Sequence, residues 1–313
     1  MKTIYIKEST NNQELITNKK IPKMIKNIII KIVKKFNIIK RNKIGDDILY
    51  IIPNLEDKKL QEKLKNKLEN EDKNFKIVFS YKLEKIVNID IKQKIIKGKQ
   101  VLKYMVEEVL NYIFDMDNEK EKIEFQDIYI LQKYHSLETI DMIEYLLNKV
   151  RMINIITNQV NKYKALEEKI YLEGYTIAVS NNKKKALKRA RIILNMDFTK
   201  EDIIKFNINR NAIIINLTNE KIDNLIGFDG IIVNNIKINM SDKQVEEFKQ
   251  KQIFYEFDQC ELYESILKSG NFLNQINKIR DNKIKIESLI GNNGKITQKE
   301  IILKKKILTN TKN

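Results

Sequence analysis

A single cysteine, Cys260, stands in a chain of 313 residues. The chain therefore has no internal disulfide framework and no cysteine zinc site. Histidine is equally scarce, with His135 alone. One His and one Cys cannot make a typical transition-metal site, so no metal is expected. Tryptophan is absent and the Tyr and Phe residues are scattered, which leaves no visible platform for stacking bases. No run of about 18 or more apolar residues occurs, and no membrane span is expected. The opening MKTIYIKEST lacks the apolar block and small-residue cleavage site of a signal peptide, which points to a cytoplasmic protein. Neither a Walker lysine loop nor a Gly-x-Ser-x-Gly elbow is present.

What the chain has in abundance is lysine. The net charge is +17, the kind of excess that attracts nucleic acid. The chain is also crowded with Ile and Asn, which share A/T-rich codons with Lys, so an A/T-rich genome accounts for the composition without a polyanionic partner. The lysines are expected to form a solvated surface, with a nucleic-acid-associated protein as the alternative.

The middle of the chain alternates short apolar runs with amphipathic stretches. DIYIL (Asp127–Leu131), MINIIT (Met152–Thr157), TIAVS (Thr176–Ser180), IILNMD (Ile192–Asp197) and AIIINL (Ala212–Leu217) read as strands, and GIIVNNIKI (Gly230–Ile238) as a sixth. Between them, Ile140, Ile143, Leu147 and Val150 recur at helical spacing behind an N-cap, Ser136. Tyr163, Leu166 and Ile170 line a second helix that stops at Gly174. Thr199 and Asp202 form a capping box for KEDIIKF. Fully apolar strands alternating with helices imply a parallel sheet covered on both faces. The expected fold class is α/β, a doubly wound Rossmann-like parallel sheet with a smaller N-terminal α/β domain and a mainly helical C-terminal extension. The expected boundaries are 1–120, 121–240 and 241–313, the last with a terminal hairpin around Gly291 and Gly294.

The N-terminal third carries strand signals at TIYI, DILYII and FKIVFS and a charged helix between the last two. Gln100–Met116 reads as one long helix joining the two domains. The acidic residues Asp115, Asp117, Glu119 and Glu121 read as a solvated linker. The stretch Lys19–Lys43 has ten Lys or Arg and no acid, with Ile25, Ile29, Val33 and Phe36 on one helical face. Such a helix suits an anionic membrane or nucleic acid. The plainer reading is a core helix with a lysine outer face.

The block Asp127–Ile238 resembles the nicotinamide-binding domain of the shikimate dehydrogenase and glutamyl-tRNA reductase group. TNQVNKYKALEEK (Thr157–Lys169) has the shape of the turn and helix after that group's second strand. ARIILNMDF (Ala190–Phe198) is similar to its fourth strand, and RNAIIINL falls where a buried strand follows. The resemblance implies a two-domain dehydrogenase ancestry and an NAD(P) site. The departures are specific. The family's Gly-x-Gly-x-x-Gly positions fall on Gln132, Tyr134 and Leu137, where side chains are expected to fill the pyrophosphate volume. Asn158 stands where an acid would meet the ribose, and Gln159 replaces the arginine that would meet a 2′-phosphate. The family's catalytic Asn-Val-Thr-x-Pro-x-Lys stretch is missing, and Cys260 lies far downstream of the reductase nucleophile.

No catalytic residue and no cofactor is therefore expected. Gln132, Lys133, His135, Ser136 and Asn158 are the ligand-binding candidates. A helix N-terminus behind Ser136 still offers N–H groups to a single phosphate or carboxylate, with Lys133 beside it. The reading is a non-catalytic Rossmann-like protein that senses a small ligand or serves as an interaction or structural protein. Its partner would be a small anionic ligand or another protein. The alternative is an active NAD(P)-dependent oxidoreductase with an unusual phosphate turn.

Overall fold

A computed structural model describes residues 2–9, 14–16, 22–53, 58–71, 74–84, 94–115, 122–268 and 270–310. The chain begins β1 (Thr3–Glu8), α1 (Lys23–Lys35), β2 (Lys40–Ile44), β3 (Asp47–Ile52), α2 (Lys58–Glu69), β4 (Lys76–Phe79), α3 (Tyr81–Glu84) and β5 (Lys94–Ile95). Next come α4 (Lys99–Tyr104), α5 (Val106–Phe114), β6 (Asp127–Leu131), α6 (Leu137–Leu146), β7 (Met152–Ile156), α7 (Lys164–Leu172) and β8 (Ile177–Ser180). The order continues α8 (Lys183–Leu187), β9 (Ile192–Asn195), α9 (Lys200–Ile204), β10 (Ile213–Asn216), β11 (Ile231–Val233) and β12 (Asn235–Asn239). It ends α10 (Asp242–Gln250), α11 (Gln259–Ile266), α12 (Phe272–Asp281), β13 (Lys285–Gly291), β14 (Gly294–Lys295) and α13 (Gln298–Asn310).

Two compact units divide these elements, one of Met1–Lys97 with Met240–Lys268, the other of Gly98–Asn239 with Ser269–Asn313. This division differs from boundaries at 120 and 240. Residues 98–115 go with the second unit, and the residues expected as a C-terminal extension are shared between the two.

The first unit carries a five-stranded sheet in the order β2-β3-β1-β4-β5. Every pairing in it is parallel except β2 with β3. Strands β1, β3 and β4 are buried almost throughout. On α2, Leu60, Leu64 and Leu68 recur at i+4 spacing and join Ile4, Ile6, Tyr50, Ile52 and Ile77 in one core. The basic segment is thus not one helix: its last residues form the edge strand β2. A two-residue turn with Gly45 at φ +61° joins β2 to β3.

The second unit carries six parallel strands in the order β11-β10-β9-β6-β7-β8. Counted from β6, that is 3-2-1-4-5-6, the doubly wound order of a Rossmann-like sheet. The expected α/β class is what the structure has, and the strands fall where the apolar runs placed them. The sixth run divides at Asn234. Ile231–Val233 completes the parallel sheet, and Asn235–Asn239 pairs antiparallel with β13 in a separate three-stranded sheet. At Gly230 a Cβ would lie 2.0 Å from the Ala212 carbonyl oxygen, so only glycine lets β11 approach β10 here. The hairpin at Gly291 and Gly294 is present as β13–β14, and α13 follows it in place of further strand. The long helix expected from Gln100 is two helices, α4 and α5, divided at Met105. The acidic stretch around Asp117, Glu119 and Glu121 lies outside the described residues.

Candidate functional site

Ligands of open α/β sheets bind outside the carboxyl ends of the strands. In the second unit that edge begins at Gln132, directly after β6. Gln132 is 1% exposed, and its amide is fully engaged. Nε2 donates to the Tyr134 carbonyl (2.5 Å), Thr139 Oγ1 (2.9 Å) and Ser136 Oγ (3.3 Å). Oε1 accepts from the buried Tyr163 hydroxyl, and burial lifts the Tyr163 pKa to about 12. Ser136 caps α6 by accepting from the Thr139 backbone N–H at 3.3 Å. Gln132 therefore ties the turn to the first turn of α6 and to the segment after β7.

The next two backbone N–H groups meet a carboxylate. Lys133 N donates to Asp197 Oδ1 at 2.5 Å and Tyr134 N to Asp197 Oδ2 at 2.7 Å. Asp197 follows β9, the strand beside β6. Burial raises the Asp197 pKa, and the two N–H donors with the charges of Lys133 and Lys103 only partly offset it. The N–H groups that take a phosphate in a dinucleotide-binding turn thus hold an anion of the chain's own. The Lys133 side chain pairs with Asp202 at 3.3 Å. The His135 backbone N–H donates to Gln159 Oε1 at 2.9 Å, and its ring meets Tyr163 edge-on at 5.2 Å.

Of the three glycine positions, only Gln132 fills space inside. Tyr134 is 60% exposed and Leu137 76%, so neither side chain is buried in the turn. Leu137 is the first residue of α6, and there a side chain points to solvent.

Asn158 lies beyond the end of β7, apart from the Gln132–Ser136–Thr139 cluster, and accepts from the Lys183 ammonium. With Gln159, Lys162, Val179 and Ser180 it lines an open groove of about 640 Å³.

On the other side of the sheet centre lies a feature the sequence reading passed over. Asn195, Asn216 and Asn234 are all buried at the ends of β9, β10 and β11. Asn195 Nδ2 donates to Asn216 Oδ1 (3.1 Å), Asn216 Nδ2 to Asn234 Oδ1 (2.9 Å), and Asn234 Nδ2 to Asn292 Oδ1 (2.7 Å). The Lys99 ammonium, itself buried, donates to the backbone carbonyls of Asn216 (3.0 Å) and Asn234. Each buried amide is satisfied, so the ladder closes this half of the edge structurally. Its signal was in the chain as a recurring pattern of three aliphatics and Asn: IILN, IIIN and IIVN. Asp197, Gln159 and Tyr163 were also missed as partners of the turn.

No family model matches the chain, and no curated protein matches it in sequence. Among solved structures it is similar to L-tryptophan dehydrogenase from Nostoc punctiforme, at 9% identity and a TM-score of 0.35, over 99% of this chain and 89% of that one. The Rossmann-like class rests on the strand order given above. Among the described residues no group of three His, Cys, Asp or Glu side chains could hold a metal ion, and no helix is long and apolar enough to cross a membrane.

Proposed function

We propose that the six-stranded unit is a Rossmann-like domain that no longer takes a dinucleotide and that acts without catalysis, as a small-ligand or partner-binding protein. One observation carries this reading: both oxygens of Asp197 accept the backbone N–H groups of Lys133 and Tyr134. A pyrophosphate at that turn must displace a carboxylate of like charge and leave it half-buried without its donors, which costs several kcal/mol. The dehydrogenase ancestry rests on the sequence resemblance to the shikimate dehydrogenase and glutamyl-tRNA reductase group. The ligand is small, polar and anionic and lies in the groove at Asn158, where Lys162 and Lys183 supply charge. A protein partner at the same edge is the other form of this reading.

The strand order and that open groove favour a second reading, an NAD(P)-dependent oxidoreductase with an unusual phosphate turn. Calorimetric titration of the whole protein with NADH and NADPH separates the two. No binding at submillimolar concentration is expected. Micromolar affinity for either would sink the non-catalytic reading.

A further inference from the structure

Helix α1 is unlike the other helices of the first unit. The stretch around it, 19–43, holds ten basic residues and no carboxylate. One side of it is anchored. Val33 is buried and Ile29 and Ile30 are half-buried. A Schellman motif ends the helix, with Asn37 at φ +49°, Ile38 N donating to Val33 O (3.0 Å) and Asn37 N to Lys34 O (3.3 Å). Lys63 on α2 then donates to the Phe36 and Asn37 carbonyls at 3.3 and 3.1 Å. The helix is fixed in place, and its outer side is not lysine alone.

Met24, Ile28, Ile32 and Phe36 follow one another at i+4 spacing, with Ile25 beside them, and all are exposed, from 44% at Ile32 to 78% at Met24. Lys31, Lys34 and Lys35 are exposed along the edge of this stripe. Among the described residues no salt bridge neutralises these three. An aliphatic stripe of this length is costly to leave in water, and the basic flank limits what can cover it. A second copy facing it brings its own lysines against these in a chain of net charge +17. Nucleic acid offers phosphate but nothing for four aliphatic side chains. A protein groove seats a helix by the same kind of apolar face, but ten basic residues with no carboxylate across 19–43 match a surface that is anionic throughout.

We infer that α1 is a membrane-docking helix that lies in the headgroup region of an anionic bilayer, with Met24, Ile25, Ile28, Ile32 and Phe36 inserted and Lys31, Lys34 and Lys35 on acidic lipid headgroups. The exposed apolar face and the charge are both required by such a surface.

Flotation of the full-length protein with vesicles tests this. Binding is expected to phosphatidylcholine–phosphatidylserine vesicles, to weaken with salt, and to be missing on phosphatidylcholine alone. Ile28→Asp with Ile32→Asp changes only exposed side chains, so the melting curve should match the parent while vesicle binding falls more than about tenfold. Lys31→Glu with Lys34→Glu and Lys35→Glu should lower it about a hundredfold or more. The inference is overturned if the parent ignores anionic vesicles, or if the isoleucine pair binds them as the parent does. It is also overturned if the parent forms a dimer that Ile28→Asp dissolves, or if duplex DNA binds and only the lysine changes weaken it.

Discussion

Asp197 and Gln132 close the phosphate turn by different means, and substitutions separate them. Gln132→Leu removes an amide that serves Tyr134, Ser136, Thr139 and Tyr163. It leaves several buried groups without a partner and should cost about 2–4 kcal/mol in urea denaturation. Tyr134→Gly and Leu137→Gly act on exposed side chains and should cost about 1 kcal/mol or less each. A loss at Leu137→Gly as large as at Gln132→Leu would disprove this ordering. The sequence located this turn and its cap correctly because both are local: Ser136 and Thr139 are three residues apart. It could not reveal Asp197, which meets the turn from 64 residues away in the chain. The filling of the turn is a long-range fact, and a pattern of missing glycines says only that something replaced them.

At the scale of elements, α5 places two glutamates side by side in opposite states. Burial pushes the Glu107 carboxyl up, but hydrogen bonds from Lys149 and Tyr145 and the charges of Lys149 and Arg280 outweigh it, so its pKa is lowered. The Glu108 carboxyl is raised, chiefly by burial, and its Oε2 has no hydrogen-bond partner among the described residues. The two signs give opposite pH dependences. Glu107 adds stability above the ordinary carboxylate range and loses it as pH falls through its lowered value. Glu108 adds stability only below that range and loses it as pH rises through its raised value. Glu107→Gln should therefore destabilise at neutral pH, with a cost that shrinks on acidification. Glu108→Gln should be neutral or stabilising at neutral pH, with a difference that vanishes below about pH 4. Denaturation curves of parent and both variants across that range check the pair, and a stabilising effect of Glu107→Gln at neutral pH would contradict it. Elements were legible where one physical rule governed them. Strands β6, β7, β9 and β10 are covered on both faces and read as plain apolar runs. The run GIIVNNIKI hides a change of rule, since IIV is buried throughout and NIKIN alternates. The break between α4 and α5 left no mark, because Val101, Leu102, Met105, Val106, Val109 and Leu110 keep helical spacing straight through it.

On the scale of the whole molecule, the first unit is assembled from two distant pieces of chain. Its residues 1–97 contain all five strands, yet their buried polar groups find partners in the returning piece. The wholly buried Tyr5 shares a 2.8 Å hydrogen bond with Ser265 and an edge-on contact with Phe257. Buried Lys76 donates to the Leu267 and Glu264 carbonyls at 2.8 and 3.4 Å, and Lys7 pairs with Glu256 at 2.8 Å. Residues 1–97 alone take Ser265 from Tyr5 and both carbonyls from the buried Lys76, and leave Lys7 with Glu14 as its one carboxylate. That fragment should show no cooperative melt by circular dichroism, whereas 1–97 joined through a flexible linker to 240–268 should melt in a single transition. A sharp transition in 1–97 by itself would show that the return is dispensable.

The same discontinuity reverses the usual order of birth on the ribosome. In most chains the N-terminal domain is finished first. Here the five strands that emerge first must wait for Lys268, and the entire six-stranded sheet, 127–233, is translated in the interval. At about 5–20 residues per second that wait is roughly 9–34 s. Throughout it the apolar and charged faces of the nascent first unit are open to chaperones, and the Rossmann-like sheet, although second in the chain, is the first sheet able to close.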